Sequence, residues 1–132
     1  MEDKNFISEL KVPSADIYIS SDGIMYIYLK IKGVVDMSHS KEIVNARTAL
    51  AQKKKYPILY ISENSFVTPS KEVIDYLTTP ERGHLVLADA FVIKSFSQRL
   101  AAKTYILINK PSKPTRVFSR ESEAVSWLKS FL

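Results

Sequence analysis

The stretch Ala15-Asp-Ile-Tyr-Ile-Ser20, then Ser21-Asp22-Gly23, then Ile24-Met-Tyr-Ile-Tyr-Leu-Lys-Ile31 decides how the rest of the chain is read. Apolar and polar residues alternate on both sides of a tight Asp-Gly turn, which is the pattern of two antiparallel strands joined as a hairpin. A period of two places Ile24, Tyr26, Tyr28 and Lys30 on one face and Met25, Ile27, Leu29 and Ile31 on the other. The second face is expected to meet the core, and the tyrosine face to be half wet or covered by a helix. Residues 1–14, ahead of the hairpin, read as an N-terminal extension or an extra strand.

Beyond the hairpin the period changes. After Gly33, Asp36 or Ser38 is placed to cap a helix whose apolar positions are Met37, Ile43, Val44, Leu50 and Ala51. Lys53-Lys54-Lys55 is expected to close that helix, three cations suiting the negative end of its dipole. Pro57-Ile-Leu-Tyr-Ile61 is almost wholly apolar and reads as a strand covered on both faces, as in a parallel sheet. Ser62 to Ser70 is a polar connection into a helix at Lys71–Leu77, with Thr68 or Ser70 as its cap and Pro69 in its first turn. Thr78 to Gly83 breaks or prolongs that helix, and Leu85 to Ile93 is the next strand. Ser95 caps a helix reaching about Ile108, and Asn109-Lys-Pro111 ends it. Thr115–Phe118 is a final short strand, and the last helix begins at Ser119-Arg-Glu-Ser-Glu, burying Ala124, Val125, Leu128 and Leu132 with Trp127 and Phe131 beside them. The order β-β-α-β-α-β-α-β-α predicts an α/β (α+β) domain spanning 1–132, in which the hairpin continues into a mixed sheet of about five strands with about four helices packed on it.

Several of these segments stand in a fixed order: the Ser21-Asp-Gly turn, Lys54-Lys-Tyr-Pro-Ile-Leu, Phe91-Val-Ile-Lys-Ser95, Asn109-Lys-Pro111, and Phe118 followed by Glu123-Ala-Val-Ser-Trp-Leu128. In this the chain, from about Ala15 to its end, resembles the SpoIIAA-like, STAS/SEC14-type small domains. Within that group it is similar to a largely uncharacterised family best represented in Bacteroidetes. The resemblance implies a SpoIIAA-like fold and a regulatory, protein-binding role. STAS domains proper are switched by phosphorylating a serine in an Asp-Ser-Ser-Gly-type turn. Here the corresponding loop, Ser62-Glu-Asn-Ser-Phe-Val-Thr-Pro-Ser70, has neither the Asp-Ser pair nor the glycine. The loop's location carries over and a phosphorylation site does not. SEC14-type relatives enclose a lipid within a much larger domain, and 132 residues leave little room for such a cavity.

Composition narrows the function. A chain of 132 residues with 45% hydrophobic and 25% charged residues can bury one core without staples. The absence of cysteine excludes thiolate nucleophiles, zinc knuckles and redox dithiols. The start Met1-Glu-Asp-Lys-Asn lacks the basic head and apolar run of a signal peptide, so a cytoplasmic location is expected. The run Leu85 to Val92 is broken by Asp89 and is far too short to span a bilayer, so no membrane insertion is expected. The net charge of +5 favours an anionic partner. Its distribution says more: between Ala90 and Arg120 stand Lys94, Arg99, Lys103, Lys110, Lys113, Arg116 and Arg120 without one Asp or Glu.

Motifs for chemistry are sparse. Gly23, Gly33 and Gly83 form no phosphate-cradling loop, and His39 and His84 have neither nucleophile nor ligand spacing around them, so no catalytic residue, cofactor or metal is expected. Asp89, alone in an apolar strand, reads as marking a water-facing point, with burial beside a hydrogen-bond partner as the other reading. Phe96, Tyr105 and Phe118 are interleaved with cations as nucleic-acid stacking platforms would be, but helical spacing separates Phe96 and Leu100 from Arg99 and Lys103. The aromatics therefore read as core and the cations as a solvated side, and nucleic acid is the least favoured partner. The favoured reading is a non-enzymatic module that recognises another protein, with self-association as a homodimer a further option. Its candidate contacts are Asn64, Ser65, Phe66, Thr68 and Ser70 in the loop after Ile61, and Lys94, Ser95 and Arg99 after Ile93. The rival reading is a small-ligand domain for a lipid or metabolite, with a pocket lined by Tyr26, Tyr28, Tyr60 and Tyr105.

Overall fold

The alternating segments form strands as their pattern dictates. The computed structural model describes residues 5–62 and 68–132. Strands β1 (Phe6–Val12), β2 (Ala15–Ser20) and β3 (Met25–Leu29) form an antiparallel meander. Phe6 to Val12 is thus the extra strand. Gly23 makes the hairpin turn at φ 93°, a left-handed conformation that costs other residues a Cβ clash, and its amide donates to the Ser20 carbonyl at 3.0 Å.

The remaining elements are β4 (Val34–Val35), α1 (Met37–Ala51), β5 (Tyr56–Ser62), β6 (Thr68–Pro69), α2 (Lys71–Tyr76), α3 (Pro80–Gly83), β7 (Val86–Val92), α4 (Phe96–Asn109), β8 (Thr115–Phe118) and α5 (Glu121–Lys129). The main sheet runs β1-β2-β3-β5-β7-β8, with β3, β5, β7 and β8 parallel, and β4 pairs with β6 in a separate ribbon. Among the described residues the sheet has six strands rather than about five, through β1, and there are five helices rather than about four, through the short α3. The central strand β5 is flanked by parallel neighbours and buried on both faces, as its apolar run predicts.

Helix ends follow local hydrogen-bonding chemistry. Asp36 accepts from the His39 amide, and His39 Nδ1 accepts from the Asp36 amide, each at 3.1 Å, so the two close a capping box at the start of α1. α1 ends at Ala51, and Gln52 and Lys53 turn left-handed at φ 49° and 67°. Lys53-Lys54-Lys55 therefore lies beyond the helix and not in its last turn. Ser70 caps α2, accepting from the Val73 amide at 3.2 Å, while Thr68 and Pro69 form β6 and are neither cap nor first turn.

Two cores sit on the two faces of the sheet. On one, Ile17, Met25, Ile27 and Ile58 pack against Ile43 and Ala46 of α1. On the other, Ile24, Tyr26, Leu59, Ala88 and Ala90 pack against Ala124 and Leu128 of α5, with Tyr18, Tyr28, Trp127 and Phe131 around them. The tyrosine face is thus covered by a helix. Leu132, expected to be buried, is exposed at the C-terminus.

Candidate functional site

α4 differs from the other long helices in where its apolar residues go. Ser95 caps it, accepting from the Gln98 amide at 3.3 Å, and Arg99 Nη1 donates to the carbonyls of Ile93 and Lys94 at 2.9 and 2.8 Å, bracing the junction between β7 and the helix. The helix packs on β8 and α2. At 100° per residue, Gln98, Ala101, Ala102, Tyr105 and Ile106 fall on the inner side, whereas Phe96, Leu100, Lys103 and Leu107 fall on the outer. The inner residues include two alanines and none of them is buried, Tyr105 being 41% exposed. They roof a cavity of about 240 Å³ whose other walls include Leu29, Ile43, Val44, Tyr60, Arg82 and Phe91. The outer residues are left in solvent: Phe96 is 72% exposed and Leu107 76%, with Leu100 also exposed; Tyr105 and Ile108, off this row, are exposed too, and no residue of α4 is buried. Phe96, Leu100 and Tyr105 are therefore surface rather than core, which corrects the reading from spacing, whereas Phe118 is half-buried against the α5-side core. The helix has two apolar sides, and periodicity alone does not say which turns inward.

Below the cavity lies a polar network that was not anticipated. Arg47 Nη1 and Arg82 Nη2 each donate to the Tyr60 hydroxyl oxygen at 3.1 Å, and Arg47 Nη2 donates to the Arg82 carbonyl. Arg82 Nη1 meets Asp89 Oδ2 at 3.1 Å. Arg47, Arg82 and Asp89 are all buried, so Asp89 does not mark a water-facing point; it neutralises a guanidinium taken out of water. The other Asp89 oxygen is buried without a hydrogen-bond partner among the described residues. Burial pulls the Arg82 pKa down, but Asp89 and Tyr60 outweigh it and hold the guanidinium above its ordinary value, charged at any working pH. Nearby, burial first and then the hydrogen bond to Glu81 push the Tyr76 hydroxyl up to about 12. The sequence carried one signal of this network: Arg47 interrupts the apolar stripe of α1 between Val44 and Leu50.

The other expected contacts are dispersed. Asn64, Ser65 and Phe66 lie outside the described residues. Thr68 is exposed in β6 and Ser70 is engaged as a cap. Lys94 and Ser95 join Arg99 at the start of α4, Lys94 Nζ lying 3.5 Å from the Ser119 carbonyl. Of the four tyrosines expected to share a pocket, Tyr60 and Tyr105 border the cavity, whereas Tyr26 and Tyr28 belong to the opposite, α5-covered face. His39 is engaged in the α1 cap, and no helix among the described residues is long and apolar enough to cross a membrane.

With this geometry in place, comparison with known proteins adds the following. The family described as a domain of unknown function (DUF7793) matches residues 17–132. No curated protein matches the chain. Its structure is similar to the crystal structure of an uncharacterised DUF3478-family protein with a SpoIIAA-like fold from Shewanella loihica PV-4. The TM-score is 0.56 at 15% identity over 86% of this chain and 91% of that one. An identity that low bears on the fold alone, and the fold is the SpoIIAA-like one.

Proposed function

This chain belongs to the DUF7793 family, and on that premise we propose that it is a non-enzymatic, STAS-like regulatory module that binds another protein through the outer face of α4. The observation that carries this reading is the exposed row of Phe96, Leu100 and Leu107, with Lys103 set between the last two. Large apolar side chains gathered on one exposed helix face mark an interaction surface, since an isolated domain gains nothing by wetting them. The surroundings specify the partner. Lys94, Arg99 and Lys103 stand on α4 or at its start, in a stretch from Ala90 to Arg120 that holds no carboxylate, whereas Arg116 packs over the Phe118 and Trp127 rings on the α5 side; the complementary surface is an apolar groove rimmed by Asp and Glu. A second copy docking by the same face supplies no such rim. Arg99 sits 5.7 Å over the Phe96 ring and is tied to two carbonyls, which makes it a brace of the surface more than a free contact.

The test uses purified wild type, Leu107→Glu and Lys103→Glu to capture partners from the source organism, followed by titration of the isolated partner at low and high salt. The reading expects Leu107→Glu to weaken binding at least tenfold, and Lys103→Glu to weaken it less and flatten its salt dependence. A partner that binds both variants as tightly as wild type overturns it. So does a concentration-dependent dimer in sedimentation that Leu107→Glu dissolves, because that assigns the face to self-association.

A further inference from the structure

The cavity behind α4 is a separate matter from the helix's outer face. Its walls are mostly apolar, with Ser40, Ser62, Thr68, Gln98, Tyr105 and Thr115 among them, and Arg82 is the one charged residue among those that border it, beside Tyr60. Those two residues belong to the buried network, in which two guanidiniums, Arg47 and Arg82, face one carboxylate, Asp89. Among the described residues one positive charge is left uncompensated in this nearly wholly buried group, Arg47 being 2% exposed. Among the described residues Arg47 donates to neutral oxygens, the Tyr60 hydroxyl and the Arg82 carbonyl. Glu81, beside Arg82 in the chain, is exposed, accepts from Tyr76, and forms no ion pair with either arginine among the described residues. An unbalanced buried cation is costly, and proteins offset it with an anion or lose stability. The Tyr60 oxygen accepts from both arginines, so its own O–H remains to be donated, and no acceptor for it stands among the described residues.

We propose that this cavity binds a small amphipathic monoanion, an aliphatic or aromatic carboxylate of about eight carbons, its apolar body lying between α4 and the sheet and its carboxylate meeting Arg82 and the Tyr60 hydroxyl. Size follows from volume: a cavity of about 150 Å³ takes a benzene ring, so about 240 Å³ leaves room for a body of about eight carbons. Single charge follows from the network's excess of one. The planar guanidinium fork beside a hydroxyl donor suits the two oxygens of a carboxylate. Asp89, whose charge opposes an anion, is not part of the cavity wall.

Hexanoate, octanoate and decanoate, with octan-1-ol and octylammonium as controls, are titrated into the whole chain by calorimetry and followed by thermal unfolding. Octanoate is expected to bind and to raise the melting temperature by mass action, octan-1-ol to bind at least tenfold more weakly, and octylammonium not to bind. Replacing Arg82 risks the fold, so two gentler variants locate the site. Ala102→Leu fills the cavity from the α4 side and should reduce octanoate binding at least tenfold with the melting temperature kept or raised. Tyr60→Phe keeps the ring and should remove much of the preference for octanoate over octan-1-ol. Failure of all three carboxylates to bind at millimolar concentration, equal binding of octan-1-ol, or wild-type binding by Ala102→Leu overturns the proposal.

Discussion

Two helices border β8 in the chain, and they treat their apolar residues in opposite ways. α5 drives Ala124 and Leu128 fully into the sheet, where Ala88 and Ala90 of β7 leave room for close approach. α4, a longer helix with more large apolar residues, buries none of them, sets Ala101, Ala102, Tyr105 and Ile106 along the cavity and holds Phe96, Leu100 and Leu107 in water. The difference teaches where the molecule is finished and where it is not. The α5 face is a closed core whose contacts account for stability. The α4 face has a cavity, a buried charge unbalanced among the described residues and an exposed apolar row, features that a domain built for stability alone would eliminate.

This contrast has consequences that measurements can break. The largest effect is expected on the α4 side of the sheet, at its polar floor: Asp89→Asn leaves Arg82 buried without its carboxylate and should cost about 3–5 kcal/mol in denaturant unfolding, because removing one partner strands the other. A loss below about 1 kcal/mol would mean that water already reaches the pair. Leu128→Ala, emptying the α5 core, should cost about 2–5 kcal/mol, whereas Leu107→Ala on α4 should change stability by no more than about 0.5 kcal/mol. Equal losses at the two positions would erase the distinction between the helices. Ser95→Ala removes the α4 cap and should cost about 1 kcal/mol, with hydrogen exchange quickening in the first turn of α4 and not in α5.

The smallest effect is electrostatic and belongs to the α5 side. Lys129 Nζ lies 3.4 Å from Asp22, joining the end of α5 to the hairpin turn. The Ser20 hydroxyl, and then Lys129 against an opposing effect of burial, lower the Asp22 carboxyl below its ordinary 3.8. A lowered folded value means that this contribution is complete above pH 3.8 and fades as the pH falls through the folded-state pKa. A carboxyl NMR titration should place the Asp22 midpoint below 3.8, and Lys129→Met should move it upward. A midpoint unmoved by the substitution would show the pair to be a surface contact without consequence.

Much of this fold was legible because it rests on local signals. The Asp22-Gly23 turn, the alternation around it, the doubly apolar Pro57–Ile61 and the caps at Asp36, Ser70 and Ser95 each follow from short-range chemistry, and the mixed sheet follows from a hairpin feeding crossovers, though the order of its strands was not read. The site was less legible because it depends on pairings between distant segments. Arg47 and Tyr60 are 13 residues apart and Arg47 and Arg82 are 35 apart, and only the folded sheet brings them together with Asp89. Asp89 read alone favours water; read beside Arg82 it is a counter-ion. α4 was legible as a helix but not in its rotation, since Phe96 and Leu100 on one side and Tyr105 and Ile106 on the other are equally apolar to a pattern of period 3.6. Lys94, Ser95 and Arg99 were placed at the right end of the right helix, yet the structure gives Ser95 and Arg99 architectural bonds and adds Leu100, Lys103 and Leu107 as the exposed row.

The absence of native cysteine permits a direct test of the outward-facing helix. Leu107→Cys and Leu128→Cys, each the only thiol in its protein, are exposed to a thiol reagent under native conditions at micromolar concentration. The thiol at position 107 should react nearly as fast as a free peptide thiol, and the one at 128 only at the rate of global unfolding. Protection of position 107 comparable to that of 128 would place the outer face of α4 against protein and contradict the account.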